Sequence, residues 1–346
     1  MRLLSGSLVS VLGLVPLIVN LSPSGGSDVA CVLPVQFVRY PGNPVYEASG
    51  ALWNVAGIGD PCVIWDEDEK LYKMWTSAGG VVPPETAIGV RIQYVTSPDG
   101  VTWTEHDENP VLLEGRSKGA WDRAGVDTAT VLKLNGRYWM WYAGYAVREF
   151  PPVTMKIGLA TSDDGIHWQK DDQNPVLASG DPGEWDESWV ESPTVVWWQG
   201  QFTMWYTGVG MGGTSFAIGL ATSPDGKVWT KHDANPVFEA DPASRWDDIA
   251  VYAPSVVEGG AGLVMAYVGL STAFLDELRI GLATSGDGFT WTRSPPHPVL
   301  DLGKTGSWDA RGGFVPTLVR RGLRFEMWYV SFAAERAKIG LATWPR

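Results

Sequence analysis

Hydrophobic residues in this chain fall into short runs, and no segment sustains the 3.6-residue period of an amphipathic helix. Typical runs are Pro193-Thr194-Val195-Val196, Phe202-Thr203-Met204-Trp205-Tyr206 and Ile218-Gly219-Leu220-Ala221-Thr222-Ser223. Turn pairs such as Gln199-Gly200 and Asp225-Gly226 separate them. β-Branched and aromatic runs parted by glycine turns predict antiparallel strands.

The pattern repeats. Ile-Gly-Leu-Ala-Thr-Ser, then Asp-Gly, then Trp, occurs at Ile157–Trp168, Ile218–Trp229 and Ile280–Trp291, with a weaker copy at Ile92–Trp103 and a truncated one at Ile339–Trp344. The starts at 92, 157, 218, 280 and 339 lie 65, 61, 62 and 59 residues apart. A fixed period of this size marks a repeat architecture. Each unit contains four predicted strands, so the expected fold is all-β: a five-bladed β-propeller of four-stranded blades. The last unit stops after its third strand. Phe37-Val38-Arg39-Tyr40 precedes Asn43-Pro44-Val45 just as the fourth strands precede Asn109-Pro110-Val111, Asn174-Pro175-Val176 and Asn235-Pro236-Val237. The N-terminal strand is therefore expected to complete the last blade and remove the open edge.

The repeat also orders the tryptophans, of which there are 19. Trp103, Trp168, Trp229 and Trp291 follow the Asp-Gly turns, and Trp75, Trp141, Trp205 and Trp328 lie in second strands. Trp53, Trp121, Trp185, Trp246 and Trp308 precede first strands, the last four followed by Asp. These 13 are read as packing between blades, and the Asp of each Trp-Asp pair as a loop brace.

The chain has 346 residues with 45% hydrophobic and 19% charged, a composition that folds. Its net charge of −13 repels phosphate backbones, so nucleic acid is not an expected partner. Arg2 and the apolar stretch Leu8 to Leu21 read as an export signal too short for a comfortable membrane span. Residues 1–30 are assigned to export and 31–346 to the propeller. The expected location is secreted or periplasmic, with anchoring through the N-terminus left open and no integral membrane segment in the mature chain. The two cysteines, Cys31 and Cys62, are read equally as one disulfide or two thiols.

Departures from the repeat locate the chemistry. At the start of the first strand, thirteen residues before the second-strand Met, units two to five carry Asp127, Glu191, Tyr252 and Phe314. In unit one a hairpin judged one residue longer makes Asp60 the counterpart. Three acids from consecutive blades are thus expected in one funnel mouth. Crowded carboxyls in a partly desolvated site have their pKa values pushed apart, as glycosidic hydrolysis requires. Trp189, two residues before Glu191, shares its strand face and is expected with Tyr252 and Phe314 to line a sugar pocket. Trp53, Arg123 and Arg311 are further candidates for substrate contact, and Arg245 sits similarly. For the arginines, pairing with the adjacent Asp is the preferred reading.

The Ser-x-Asp-Gly-x-x-Trp hairpins resemble shortened Asp-boxes of sialidases, but no arginine triad or Tyr nucleophile can be placed. Asp60-Pro61, Val126-Asp127-Thr128-Ala129 and Glu191-Ser192-Pro193 together resemble the acid triad of family 43 glycoside hydrolases, the arabinanases, arabinofuranosidases and xylosidases. The resemblance spans Val35 to Arg346 and extends to the related invertase and levansucrase families. Gly59 before Asp60 and Cys62-Val63 after Pro61 depart from the invertase pattern. The resemblance implies Asp60 as general base, Asp127 as the residue tuning the acid and Glu191 as general acid in an inverting hydrolysis. In an invertase-like reading Asp60 would be a nucleophile. No cofactor or metal is indicated: no His lies at a first-strand start, and a calcium in the funnel remains only an option. The expected partner is an oligosaccharide or polysaccharide substrate. Two other functions stay open, a non-catalytic carbohydrate-binding propeller and a mannoside-phosphorylase-like enzyme.

Overall fold

A computed structural model describes residues 36–83, 88–147, 154–213, 215–260, 262–331 and 336–345. Residues 1–30, read as the export segment, and Cys31 lie outside these. The described chain is all-β apart from one 3-10 turn at Met211–Gly213. Its first repeat unit forms β2 (Gly57–Asp66), β3 (Leu71–Gly80), β4 (Gly89–Ser97) and β5 (Thr104–Glu105). The second forms β6 (Gly125–Leu134), β7 (Arg137–Tyr145), β8 (Met155–Ser162) and β9 (Gln169–Lys170). The third forms β10 (Trp189–Trp198), β11 (Gln201–Val209), β12 (Phe216–Ser223) and β13 (Thr230–Lys231). The fourth forms β14 (Ala250–Glu258), β15 (Leu263–Ser271), β16 (Phe274–Ser285) and β17 (Thr292–Arg293). The last forms β18 (Phe314–Arg321), β19 (Arg324–Ser331) and β20 (Lys338–Trp344), and β1 (Val38–Arg39) pairs antiparallel with β20 as its fourth strand. The first two units are joined into one sheet by a single parallel bridge, Val90 to Gly125. These antiparallel four-stranded units have the form of propeller blades.

The hydrophobic cores lie between successive units. Cys62, Trp75 and Ile92 pack with Val126, Met140 and Tyr142, and the pattern continues along the chain. One core unites Val319, Trp328 and Leu341 of the last unit with Ile58, Met74 and Val95 of the first. The first strands follow the same order, β2 against β6, β6 against β10, β10 against β14, β14 against β18 and β18 against β2.

Two repeated devices use eight of the tryptophans. In the first, a second-strand indole donates to the glycine carbonyl of the next unit's Asp-Gly hairpin: Trp75 to Gly165 (2.8 Å), Trp141 to Gly226 (2.9 Å), Trp205 to Gly288 (2.8 Å) and Trp328 to Gly100 (2.9 Å). The fourth unit has Ala266 in this place, and it faces the unit whose sequence has no Asp-Gly hairpin. In the second, Trp121, Trp185, Trp246 and Trp308 lie on Tyr142, Tyr206, Tyr267 and Tyr329 with ring centroids 5.5–5.8 Å apart. The glycine of Ile-Gly-Leu-Ala-Thr-Ser makes room for them: a Cβ at Gly158, Gly219, Gly281 or Gly340 would come within 2.3–2.7 Å of the indole.

The Asp after each of these tryptophans is a buried brace, as expected. Asp122, Asp186, Asp247 and Asp309 accept from the same tyrosines and pair with fourth-strand cations: Lys170 (2.5 Å), Lys231 (2.6 Å), Arg293 (2.7 Å) and Arg39 (2.6 Å). Arg39 of β1 thus does in the last unit what Lys170 and Lys231 do in theirs. Asn43 likewise bonds both backbone groups of Leu341, as Asn109 does with Tyr94. The first unit carries the brace with its chemistry changed: Asn54 and Glu105 occupy the Asp and cation places, and Tyr46 donates to Glu105 (2.7 Å).

Removing the cation from a brace leaves a buried carboxylate with only its hydroxyl donors. Arg39→Ala should lower unfolding free energy by about 2 kcal/mol in denaturant titrations, as should Lys231→Ala. An Arg39→Ala protein as stable as the parent would show that β1 does not depend on this ion pair.

Candidate active site

The first strand of every unit carries one extra residue near its start. Asp127 faces Ala143 and Thr130 faces Trp141, so three steps on β6 meet two on β7, a β-bulge. The same shift lies between Gly59 and Cys62, Glu191 and Thr194, Tyr252 and Ser255, and Phe314 and Thr317. At each, a non-glycine residue takes a left-handed backbone: Asp60 (φ 47°), Thr128 (φ 41°), Ser192 (φ 48°), Ala253 (φ 50°) and Val315 (φ 45°).

This register corrects the alignment of unit one. Gly59, not Asp60, is the counterpart of Asp127 and Glu191. The hairpin after β2 has four loop residues, Glu67 to Lys70, against two in Asn135-Gly136, so the offset is two positions and not one. Asp60 stands where Thr128 and Ser192 stand, at the bulge itself.

The three carboxyls nonetheless interact. Asp60 lies within hydrogen-bond reach of Asp127, and the Glu191 charge also acts on Asp60. Burial first, then the Asp127 charge and hydrogen bond, hold the Asp60 carboxyl well above the usual carboxylate range, with Ser77 opposing. Ser77, buried on β3, donates to Asp127 and accepts from the Thr128 amide (3.3 Å), which also donates to Asp127 (2.9 Å). Glu191 is pushed up to about 7 by burial, with a hydrogen bond from Trp189 opposing and the Asp127 charge adding. Burial and the Glu191 charge raise the Tyr252 hydroxyl. Among the described residues, no Lys or Arg is among the groups that shift Glu191 or Tyr252.

An aromatic wall stands beside Glu191. Trp189 meets Phe216 edge-on at 6.2 Å, and Phe216 lies 5.8 Å from Tyr252. Trp189 and Tyr252 were expected from the sequence and Phe216 was not. Its signal was the glycine-rich turn before it: a Cβ on Gly213 would touch the Trp189 ring at 2.8 Å. Phe314 is half-buried against the core between the last and first units. Trp53 is half-buried in the turn before β2, its backbone against Gly80. Arg123, Arg245 and Arg311 are exposed and do not pair with the adjacent Asp, because the fourth-strand cations already do. Cys62 is a buried free thiol that accepts from the Val131 amide (3.1 Å), and burial pushes it up to about 11. Among the described residues no three His, Cys, Asp or Glu are arranged to hold a metal ion, and no helix is long and apolar enough to cross a membrane.

Residues 91–241 match the glycosyl hydrolases family 32 N-terminal domain. An uncharacterised protein of Mycobacterium tuberculosis is 27% identical over 259 residues, 72% of this chain and 80% of that protein. A Flavonifractor plautii A type blood N-acetyl-alpha-D-galactosamine deacetylase is 23% identical over 263 residues, 68% of this chain and 33% of that protein. Among solved structures, one comes from work on the GH130 family of mannoside phosphorylases, described as containing glycoside hydrolases that target beta-1,2 mannosidic linkages in Candida mannan. It has a TM-score of 0.70 at 18% identity, covering 90% of this chain and 94% of that one. A thermostable family-43 glycoside hydrolase has a TM-score of 0.62 at 18% identity, covering 82% and 88%. The resemblance to family 43 and its invertase-like relatives is thus matched by a family 32 profile and by a family-43 fold.

Glu191 would ionise near 4.5 in the unfolded chain and ionises near 7 in the folded one. Between those values the folded state keeps a proton that the unfolded state has lost, so stability falls as pH rises through about 7, by up to about 3 kcal/mol. Glu191→Gln should escape this loss and gain stability over the parent between pH 5 and pH 8 in thermal melts. Parallel pH curves for the two proteins would remove Glu191 as the cause.

Proposed function

We propose that the chain is an exported glycoside hydrolase on a five-bladed β-propeller, closed by β1 in the last blade. The ring is supported by the core shared between first and last units, by the Trp328 bond to Gly100, and by Arg39 and Asn43 in repeat register. The enzyme reading is supported by the family 32 match and by glycoside hydrolase neighbours. Export rests on the apolar N-terminal run alone.

One feature carries the chemistry: burial pushes Glu191 up to about 7 beside a second buried acid, Asp60, held well above the usual carboxylate range, with Asp127 acting on both. In the reaction we infer, water attacks the anomeric carbon while the bond to the leaving oxygen breaks. Glu191 gives its proton to that oxygen, and Asp60 in its ionised form takes the proton of the water. Asp127 raises both partners, and Ser77 holds Asp127 in place. Single displacement inverts the anomeric centre. The aromatic wall supplies apolar faces for the sugar or aglycone beside the acid. The phosphorylase reading is disfavoured because an anion would enter a place where the charges interacting with Glu191 are those of other carboxyls, Asp127 and Asp60.

The test is turnover on a panel of aryl glycosides and oligosaccharides, with and without phosphate. A bell-shaped profile falling above about pH 7 is expected, with inverted product by NMR. Glu191→Gln should lose at least about a hundredfold in kcat while still binding product. Retained configuration would make Asp60 a nucleophile, and phosphate-dependent turnover would favour the phosphorylase. Acetate release from N-acetyl sugars without bond cleavage would favour deacetylation, and binding without turnover a lectin-like role.

A further inference from the structure

A cavity of about 640 Å³ runs along the axis on the other side of the bulges from the funnel mouth. All five first strands line it, from Asp60 at one end to the exposed hairpin residues Glu67 and Gly322 at the other. Asp127, Glu191, Tyr252 and Phe314 do not line it. Asp60 alone of the three acids does, because it sits at the bulge and the others sit one residue before it. Asp60 therefore meets both spaces: its carboxyl lies against Asp127 on the funnel side, and the residue borders the axial cavity on the other.

Accepting the hydrolase reading above, on which this step rests, a sugar seated against Glu191 and the aromatic wall fills the funnel. Water arriving through the same mouth would have to pass it. We propose that the axial cavity is the route by which water reaches Asp60, entering at the face that carries the first hairpins. The volume suits this, because one water in the liquid takes about 30 Å³. The walls suit it as well. Cys62, Thr130, Thr194, Ser255 and Thr317 form one tier, and several of their polar atoms already bond neighbouring strands, as Ser255 does with the Leu318 amide (2.8 Å) and Thr317 with the Pro61 carbonyl. Such a tier passes water without holding it.

Cys62 reports on the route, since it borders the cavity between Asp60 and the hairpins. In a Cys31→Ser background, Leu132→Trp and, separately, Val257→Trp would narrow the cavity nearer the hairpin face, and thermal melts identify whichever variant stays folded. The rates to measure are Cys62 modification by methyl methanethiosulfonate and turnover of an aryl glycoside. A folded plug variant should slow modification at least about tenfold and lower kcat by a similar factor, with KM little changed. Product bound in the funnel should leave modification unslowed. Slowed modification with unchanged kcat would overturn the proposal, because water would then be arriving through the funnel. Modification slowed by product but not by the plug would overturn it too. Failure of the hydrolase reading is a separate result, seen as absent turnover in the unaltered protein.

Discussion

The site depends on a backbone constraint. Each first strand holds one residue in left-handed backbone without being glycine, a conformation costing on the order of 1 kcal/mol or more at each position. The extra residue bends the strand and re-aims the side chain before it. Local hydrogen bonds hold the bends: the Thr128 amide donates to Asp127, the Ser192 amide to Thr128 Oγ1 and the Ala253 amide to Thr207 Oγ1. Without these bends the side chains of Asp127, Glu191 and Tyr252 would continue the strand pleat. The cores between units supply the rigidity that keeps five strained residues in place.

Much of this was legible in the chain. The period gave the units, Asp-Gly the hairpins, and Asn43-Pro44-Val45 the partner for the last unit, because local turn chemistry and apolar spacing survive in sequence. The bulges did not. A one-residue insertion shows only as a register shift, and unit one hides its own behind a longer hairpin. The offset placed Asp60 one position too early in the comparison, although its carboxyl still reaches Asp127. Ser77 had a faint signal, a hydroxyl where units two, four and five have Ala143, Val268 and Val330. The braces misled in one respect: proximity in sequence suggested that Arg123 or Arg311 would pair with the neighbouring Asp. The fourth-strand cations that do so are 45 to 48 residues away in the middle units, or at the other end of the chain for Arg39.

The first unit differs from the others in more than its acid. Its second strand has Thr76 where the rest have the braced tyrosine, and Gln93 replaces the glycine that admits an indole. Tyr46 bonds both Glu105 and Gln93, filling that space from outside the sheet. Freed from the tyrosine, Thr76 donates to the Gly59 carbonyl, next to Asp60. The exchange of one brace for another therefore extends to the bulge that carries Asp60.

The three acids end in different states because their neighbours differ. Asp60 is buried against Asp127 and feels its charge, so its own carboxyl resists ionising. Glu191 has the Asp127 charge acting on it and an indole opposing burial, which leaves it near 7 and able to give or take a proton. Moving Glu191 onto the pair would lift it out of that range, and moving it into solvent would drop it to an ordinary carboxylate. Its place one unit further round, between the Asp127 charge and the Trp189 wall, holds it near 7.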